Sequence, residues 1–226
     1  MTIKNGLLYI RLILRGPLFS KTFLYQGEKI RLFQHWNNVG IRFFRMTERC
    51  LELAIANEWL TKYNDQDTYE IGAVTPYYWK NRVKNIVDPV DPHNAVTIKD
   101  SLFSLDLTNK SVLSISTIEH IGTGDYGVSF DSSENGIIAF EKIVRESKRC
   151  MITFPTGWNK ELDDYFGCRK YRNLELLKNE SMDVLLYERN EFDNEFQLVT
   201  IEKAGKIPYG PLTARGVVII EKRSGE

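Results

Sequence analysis

The sequence predicts an α/β domain, a mostly parallel sheet with helices on both faces. Three observations carry this expectation. Past Asp67, short apolar, β-branched runs alternate with segments of helical periodicity, and the chain ends on two strand-like runs. The stretch from Asp67 to Pro92, DTYEIGAVTPYYWKNRVKNIVDPVDP, reads as strand, turn, short helix, strand and acid. That is the plan of the first βαβ unit of a nucleotide-binding sheet. The unusual polar residues also gather at the predicted carboxyl ends of the strands, where such sheets bind ligands.

In chain order, Met1 to Leu18 carries an apolar run, Leu7 to Leu14, interrupted by Arg11 and followed by Arg15. It is too short and too charged to span a membrane and lacks a small-residue cleavage site, so an amphipathic helix that docks on the domain or a partner is expected. With Lys4, Arg11 and Arg15 it can also touch a membrane surface without stable insertion. Gly16-Pro17 ends it. Lys21 to Tyr25 and Lys29 to Phe33 flank Gln26-Gly27-Glu28 as a small hairpin, which must pack on something to be stable. Ile41 to Tyr63 has a helical pattern, and Asn64 to Asp67 breaks it. Residues 1–66 therefore read as an extension of helix, hairpin and helix packed on a core domain of residues 67–226. In that core, strands are expected at Thr68 to Ala73, Lys84 to Val87, Ala95 to Ile98, Ser111 to Thr117, Arg149 to Phe154, Asp183 to Glu188 and Gly216 to Lys222. The uncharged run SVLSIST should be a buried parallel strand. A helix is expected over Ser133 to Glu146, and a helical turn at Asn173 to Leu177.

Composition narrows the function classes. In 226 residues, 30 Lys+Arg balance 30 Asp+Glu, which argues against nonspecific nucleic-acid binding. Three scattered cysteines form neither a metal pattern nor a disulfide framework and suit a reducing cytoplasm, where the protein is expected. The three histidines are scattered too, so no zinc site is expected.

The strand ends supply the candidate site. Gly72 follows the first strand and can let a backbone approach a ligand. Asp88 closes the second strand, placed to hydrogen-bond a ribose hydroxyl pair. Glu119-His120 follows the central strand. His120, which titrates near neutrality, reads either as a general base or as a loop anchor, and Glu119 as its partner or a cap. The glycine-rich loop Gly122 to Gly127, with Tyr126, reads as a lid or substrate loop. No lysine follows it as in a phosphate-binding P-loop. At the fifth strand, Trp158 is an apolar plate for a sugar or a core residue, and Asn159 should face the acceptor. Asp163, Tyr165 and Tyr209 are weaker candidates.

The series EIG, VDP, KDSL, SVLSISTIEHIG and ITFPTGWN resembles class I S-adenosylmethionine-dependent methyltransferases. More narrowly, it is similar to a bacterial group of methyltransferase-like proteins associated with surface-glycan biosynthesis. That group carries a LEIGNV-like motif at the first strand, S-x-S-T-x-E-H-x-G at the fourth and P-x-G-x-N at the fifth. The resemblance covers Thr68 to Asn159 and implies a Rossmann-like sheet and S-adenosylmethionine as cofactor. It places Glu70 and Gly72 in the cofactor loop, Asp88 on the ribose, Asp100 and Ser101 near the adenine, and Ser116 and Thr117 under the methionine part. The implied activity is O-methylation of a sugar or sugar nucleotide, a small-molecule or glycan acceptor.

Two alternatives stay beside this reading. The chain has one glycine where the family pattern has two or three, which suits a methyltransferase-like binding or scaffold protein without turnover. An NAD-dependent oxidoreductase or epimerase lacks support, because neither G-x-G-x-x-G nor a Tyr-x-x-x-Lys pair past the fourth strand is present.

Overall fold

The computed structural model describes residues 22–33, 37–39, 42–44, 47–125, 135–173, 181–190, 195–210 and 213–223. The expected helix over Met1 to Leu18 lies outside them. The first described element is the expected hairpin, β1 (Thr22–Tyr25) and β2 (Glu28–Arg31), paired antiparallel. Gln26 and Gly27 turn it with φ of 51° and 85°, the double positive φ that a two-residue hairpin turn demands. A second antiparallel pair, β3 (Asn37–Val39) and β4 (Arg42–Phe44), stands where the helical pattern was read from Ile41. The aromatic pair Phe43-Phe44 favours strand, and the helix α1 begins only at Glu48 and runs to Tyr63.

The main sheet is built from β5 (Thr68–Ile71), β6 (Asn85–Val87), β7 (Ser111–Ile115), β8 (Arg149–Pro155), β9 (Met182–Asn190), β10 (Glu195–Val199) and β11 (Gly216–Lys222). Its order is β10-β9-β11-β8-β7-β5-β6. β6, β5, β7 and β8 are parallel neighbours. β11 runs antiparallel to both β8 and β9, and β10 is hairpinned onto β9. The expected α/β sheet is thus a mixed one of seven strands. From β5 the chain moves outward to β6, then crosses back to place β7 on the other flank of β5. The sheet's topological switch point therefore lies between β5 and β7.

Period-two alternation sends side chains to two cores. Leu113, Ile115, Met151, Val217 and Ile219 meet α1, through Leu51, Leu53, Ile55 and Leu60, together with the hairpin's Phe23 and Ile30. Val112, Cys150, Ile152, Phe154, Val218 and Ile220 meet α2 (Gly136–Glu146) and α3 (Lys160–Gly167), through Phe140, Ile143, Leu162 and Phe166. The hairpin is also tied to the sheet by polar bonds. Tyr25 donates to Glu221 Oε2 at 2.7 Å, Gln26 donates to the same oxygen, and the Tyr187 hydroxyl donates to the Leu24 carbonyl at 2.6 Å. Among the described residues no helix is long and apolar enough to cross a membrane.

Two further expected elements change, and a third lies mostly outside the described residues. The short helix after β5 is only a 3-10 turn, Thr75–Tyr77, with Asn81 at φ 54° turning the chain a few residues on. The strand expected at Ala95 to Ile98 is a single bridge, Ile98 to Val87. Pro89 and Pro92 deny that connection two backbone donors. Of Asn173 to Leu177, only the end of a 3-10 turn, Lys170–Asn173, falls among the described residues.

Candidate functional site

A cavity of about 640 Å³ opens at the carboxyl ends of β5, β6 and β7, at the switch point. Gly72, Asp88, Ser101, Ser116, Thr117 and His120 all line it. Ser101 is named through the resemblance, and the other five stand at predicted strand ends.

The loop after β5 is organised by two acids, buried Glu70 and half-buried Asp88. Glu70 accepts hydrogen bonds from Val74 N at 3.0 Å and Thr75 N at 2.6 Å, and from the Thr75 hydroxyl. Its side chain lies beneath the loop rather than in the cavity lining, and burial pushes its pKa up to about 7. Gly72 takes φ 85° and donates to Val87 O at 2.9 Å. A Cβ there would lie 2.1 Å from Thr117 Oγ1, so this backbone rests directly on the end of β7. Asp88 joins the two strand ends. Its Oδ2 accepts from Ala73 N at 3.1 Å, and its Oδ1 from Val90 N at 2.9 Å and Asp91 N at 2.8 Å. A carboxylate has about four acceptor sites, so the fixed group retains capacity for a ligand hydroxyl.

At the end of β7, Ser116 adopts φ 43°, a strained conformation for a residue with a Cβ. Its hydroxyl donates to Glu52 Oε1 at 2.7 Å, and Thr153 Oγ1 donates to the same oxygen at 2.9 Å. Glu52 comes from α1, as does Arg49, which lines the cavity with Nη1 3.2 Å from Glu52 Oε2. Sequence reading treated this helix only as packing. The available signal was an Arg and a Glu three residues apart on one helix face, a pattern that usually marks a solvated surface.

His120 ends the 3-10 turn Ile118–His120 and faces the cavity. Its Nδ1 lies 2.9 Å from Asp125 Oδ2, and its Nε2 lies 3.6 Å from Glu119 Oε1, longer than a hydrogen bond. Trp158 packs edge-on against the imidazole with centroids 5.1 Å apart and donates Nε1–H to Asp125 Oδ2 at 3.1 Å. Hydrogen bonds from His120 above all, and from Thr123 and Trp158, hold the Asp125 carboxyl below the usual carboxylate range. Asp125, one residue before Tyr126 in the glycine-rich loop, is thus a site residue that sequence reading passed over.

The structure moves other expected residues out of the cavity. Glu119 is fully buried, and among the described residues neither of its carboxyl oxygens has a hydrogen-bond partner. Burial drives its pKa well above the ordinary range, and it lies outside the cavity lining. Asp100 is exposed and outside the lining, its carboxylate occupied by Ser101 N at 2.7 Å. Asn159 is the N-cap of α3. It accepts from Leu162 N at 3.0 Å and donates to Glu119 O at 3.1 Å, a local bonding role that replaces the expected acceptor contact. Trp158, 47 % exposed, belongs to neither the core nor the cavity lining; it supports His120 from behind. Tyr126 lies outside the described residues. Of the weaker candidates, Asp163 accepts from Gly157 N at 2.7 Å, and burial raises its pKa to about 7. Tyr165 donates to Glu141 at 3.0 Å, and Tyr209 packs on Trp158 at 5.5 Å.

Fold and site together define an α/β domain with a cavity at the switch point of a mixed sheet. No protein-family model, no curated protein and no solved structure matches the chain.

Proposed function

We propose that the chain is an S-adenosylmethionine-dependent methyltransferase of class I, acting on a hydroxyl of a sugar or sugar nucleotide, as the glycan-associated group it resembles implies. The observation that carries this reading is the meeting of three features in one cavity. They are a positive-φ glycine turn after β5, an acid closing β6, and an imidazole–carboxylate pair past β7. The residues fit the cofactor in size and chemistry. The volume lies within the range of small-molecule sites. Asp88 has acceptor capacity for a ribose hydroxyl beside its three backbone bonds.

When bound, S-adenosylmethionine supplies an electrophilic methyl group. Gly72 and Asp88 would hold its nucleoside part, with Leu102 and Phe103 as apolar walls. The chain's own work is alignment and proton removal. Alignment of an in-line attack can supply about 7–11 kcal/mol. His120, held by Asp125 at Nδ1, takes the acceptor hydroxyl's proton, and the negative Asp125 stabilises the imidazolium that results. A positioned base of this kind contributes about 10²–10⁴-fold.

A methyltransferase-like binding protein without turnover is the second reading, favoured by one observation. The amides of Gly72, Ala73, Val74 and Thr75 are all bonded within the protein, to Val87, Asp88 and Glu70. Calorimetry with S-adenosylmethionine and S-adenosylhomocysteine tests the cofactor, and methyl transfer to nucleotide sugars separates the two readings. Asp88→Ala should weaken cofactor binding about tenfold or more, the worth of one charge-assisted hydrogen bond. Unchanged affinity would remove Asp88 from the site.

A further inference from the structure

The committed amides of the loop after β5 raise a question of charge. S-adenosylmethionine ends in an amino-acid group whose carboxylate needs donors. In the cavity that loop supplies none, because Ala73, Val74 and Thr75 spend their N–H groups on Asp88 and Glu70. Among the described lining residues, Asp88, Asp91 and Asp125 are acids, and Arg49 is the one side chain that is always cationic. The acids Asp88 and Asp91 stand just past β6. Arg49 comes from the opposite side, carried by α1 next to Ser116, and within electrostatic reach of Tyr78 and Glu119. Within the lining, Arg49 is thus the cationic counterpart of Asp88 and Asp91.

The state of the guanidinium supports the same point. Arg49 Nη1 lies 3.2 Å from Glu52 Oε2, yet the two are misdirected, and neither atom makes a hydrogen bond among the described residues. Glu52 is fully buried and is held in place by Ser116 and Thr153, whereas the Arg49 side chain keeps 22 % of its surface. Glu52 thus orients a guanidinium group whose side chain lines the cavity and keeps part of its surface accessible. Arginine presents a planar fork that matches a carboxylate in two parallel hydrogen bonds.

We infer that Arg49 is the anchor for the carboxylate of the cofactor's amino-acid end, with Glu52 and Ser116 as its positioning residues. The inference rests on the methyltransferase reading. It also makes α1, which precedes the stretch that resembles methyltransferases, a working part of the ligand site rather than packing alone.

The test compares S-adenosylhomocysteine with its carboxamide, which differs in the charge of that one group. The wild-type protein should bind the carboxamide about 10- to 100-fold more weakly. In Arg49→Gln the ratio should fall to near one. Because that change leaves Glu52 buried without its ion partner, the double variant Arg49→Gln/Glu52→Gln is measured beside it and should show the same loss of discrimination. Equal wild-type binding of both ligands overturns the inference while the methyltransferase reading stands. So does a ratio that survives in the variants. Wild-type protein that binds neither ligand overturns both.

Discussion

Replacing Gly72 by alanine strikes the closest approach in the site. At φ 85° the new residue is held in the left-handed region, at a cost of about 1–2 kcal/mol. The added Cβ would lie 2.1 Å from Thr117 Oγ1, 2.7 Å from its Cγ2 and 2.9 Å from its Cβ. Rotating the threonine cannot relieve this, since its own Cβ is in the way. Overpacking of that kind typically costs about 1–3 kcal/mol. The two terms predict a loss of about 2–5 kcal/mol, to be read from urea denaturation of the wild type and Gly72→Ala. A double-mutant cycle separates them. In a Thr117→Gly background the clash is gone and only the φ term remains, so Gly72→Ala should cost about 1–2 kcal/mol there. Equal costs in both backgrounds would show that the β5 loop does not rest on the end of β7, and the architecture of the cavity would fall with it.

Two further outcomes follow from the site. His120→Ala should lower turnover about 10²-fold or more while leaving S-adenosylhomocysteine affinity nearly unchanged; a parallel fall in melting temperature and affinity would instead make the imidazole a loop anchor. For Asp163, burial raises the folded-state pKa from 3.8 to about 7, so between those values the folded protein binds more protons than the unfolded chain. Stability from this group is full at low pH and is lost as pH rises toward neutrality. Asp163→Asn should flatten the slope of unfolding free energy against pH over that window. Glu70, raised in the same direction, leaves a residual slope of the same sign, and an unchanged slope in Asp163→Asn would refute the burial argument.

The parts of this protein that follow from local chemistry were legible in its sequence. An uncharged β-branched run has few alternatives to a buried strand, and Gly216 to Lys222 forms a strand with the very bounds its pattern implied. Placing polar residues at strand ends found Gly72, Asp88, Ser116, Thr117 and His120, because backbone direction decides which end of a parallel strand meets the ligand. What depends on packing between distant segments was hidden. Arg49 and Glu52 enter the site only because α1 lies against β7, and no local pattern separates such a pair from a surface ion pair. Glu119 was misplaced because one residue's step along a 3-10 turn separates the cavity from the core beneath it. Asn159 did carry a readable signal. An asparagine before a short amphipathic segment is an N-cap, and read that way it yields α3 and cancels the acceptor role.

The placement of β11 has a consequence for biogenesis. The last described strand is not an edge: β8 and β9 reach each other only through it, and each of its residues is buried. During synthesis the parallel half, with the cavity, can assemble as soon as β8 leaves the ribosome. The flank formed by β9 and β10 cannot join it until residue 222 is made. Until then the nascent chain presents two open strand edges, each a template for another chain. A premature stop shortly before Gly216 would therefore cut the sheet in two, and its product should be found with chaperones or in aggregates rather than as a trimmed, ligand-binding domain.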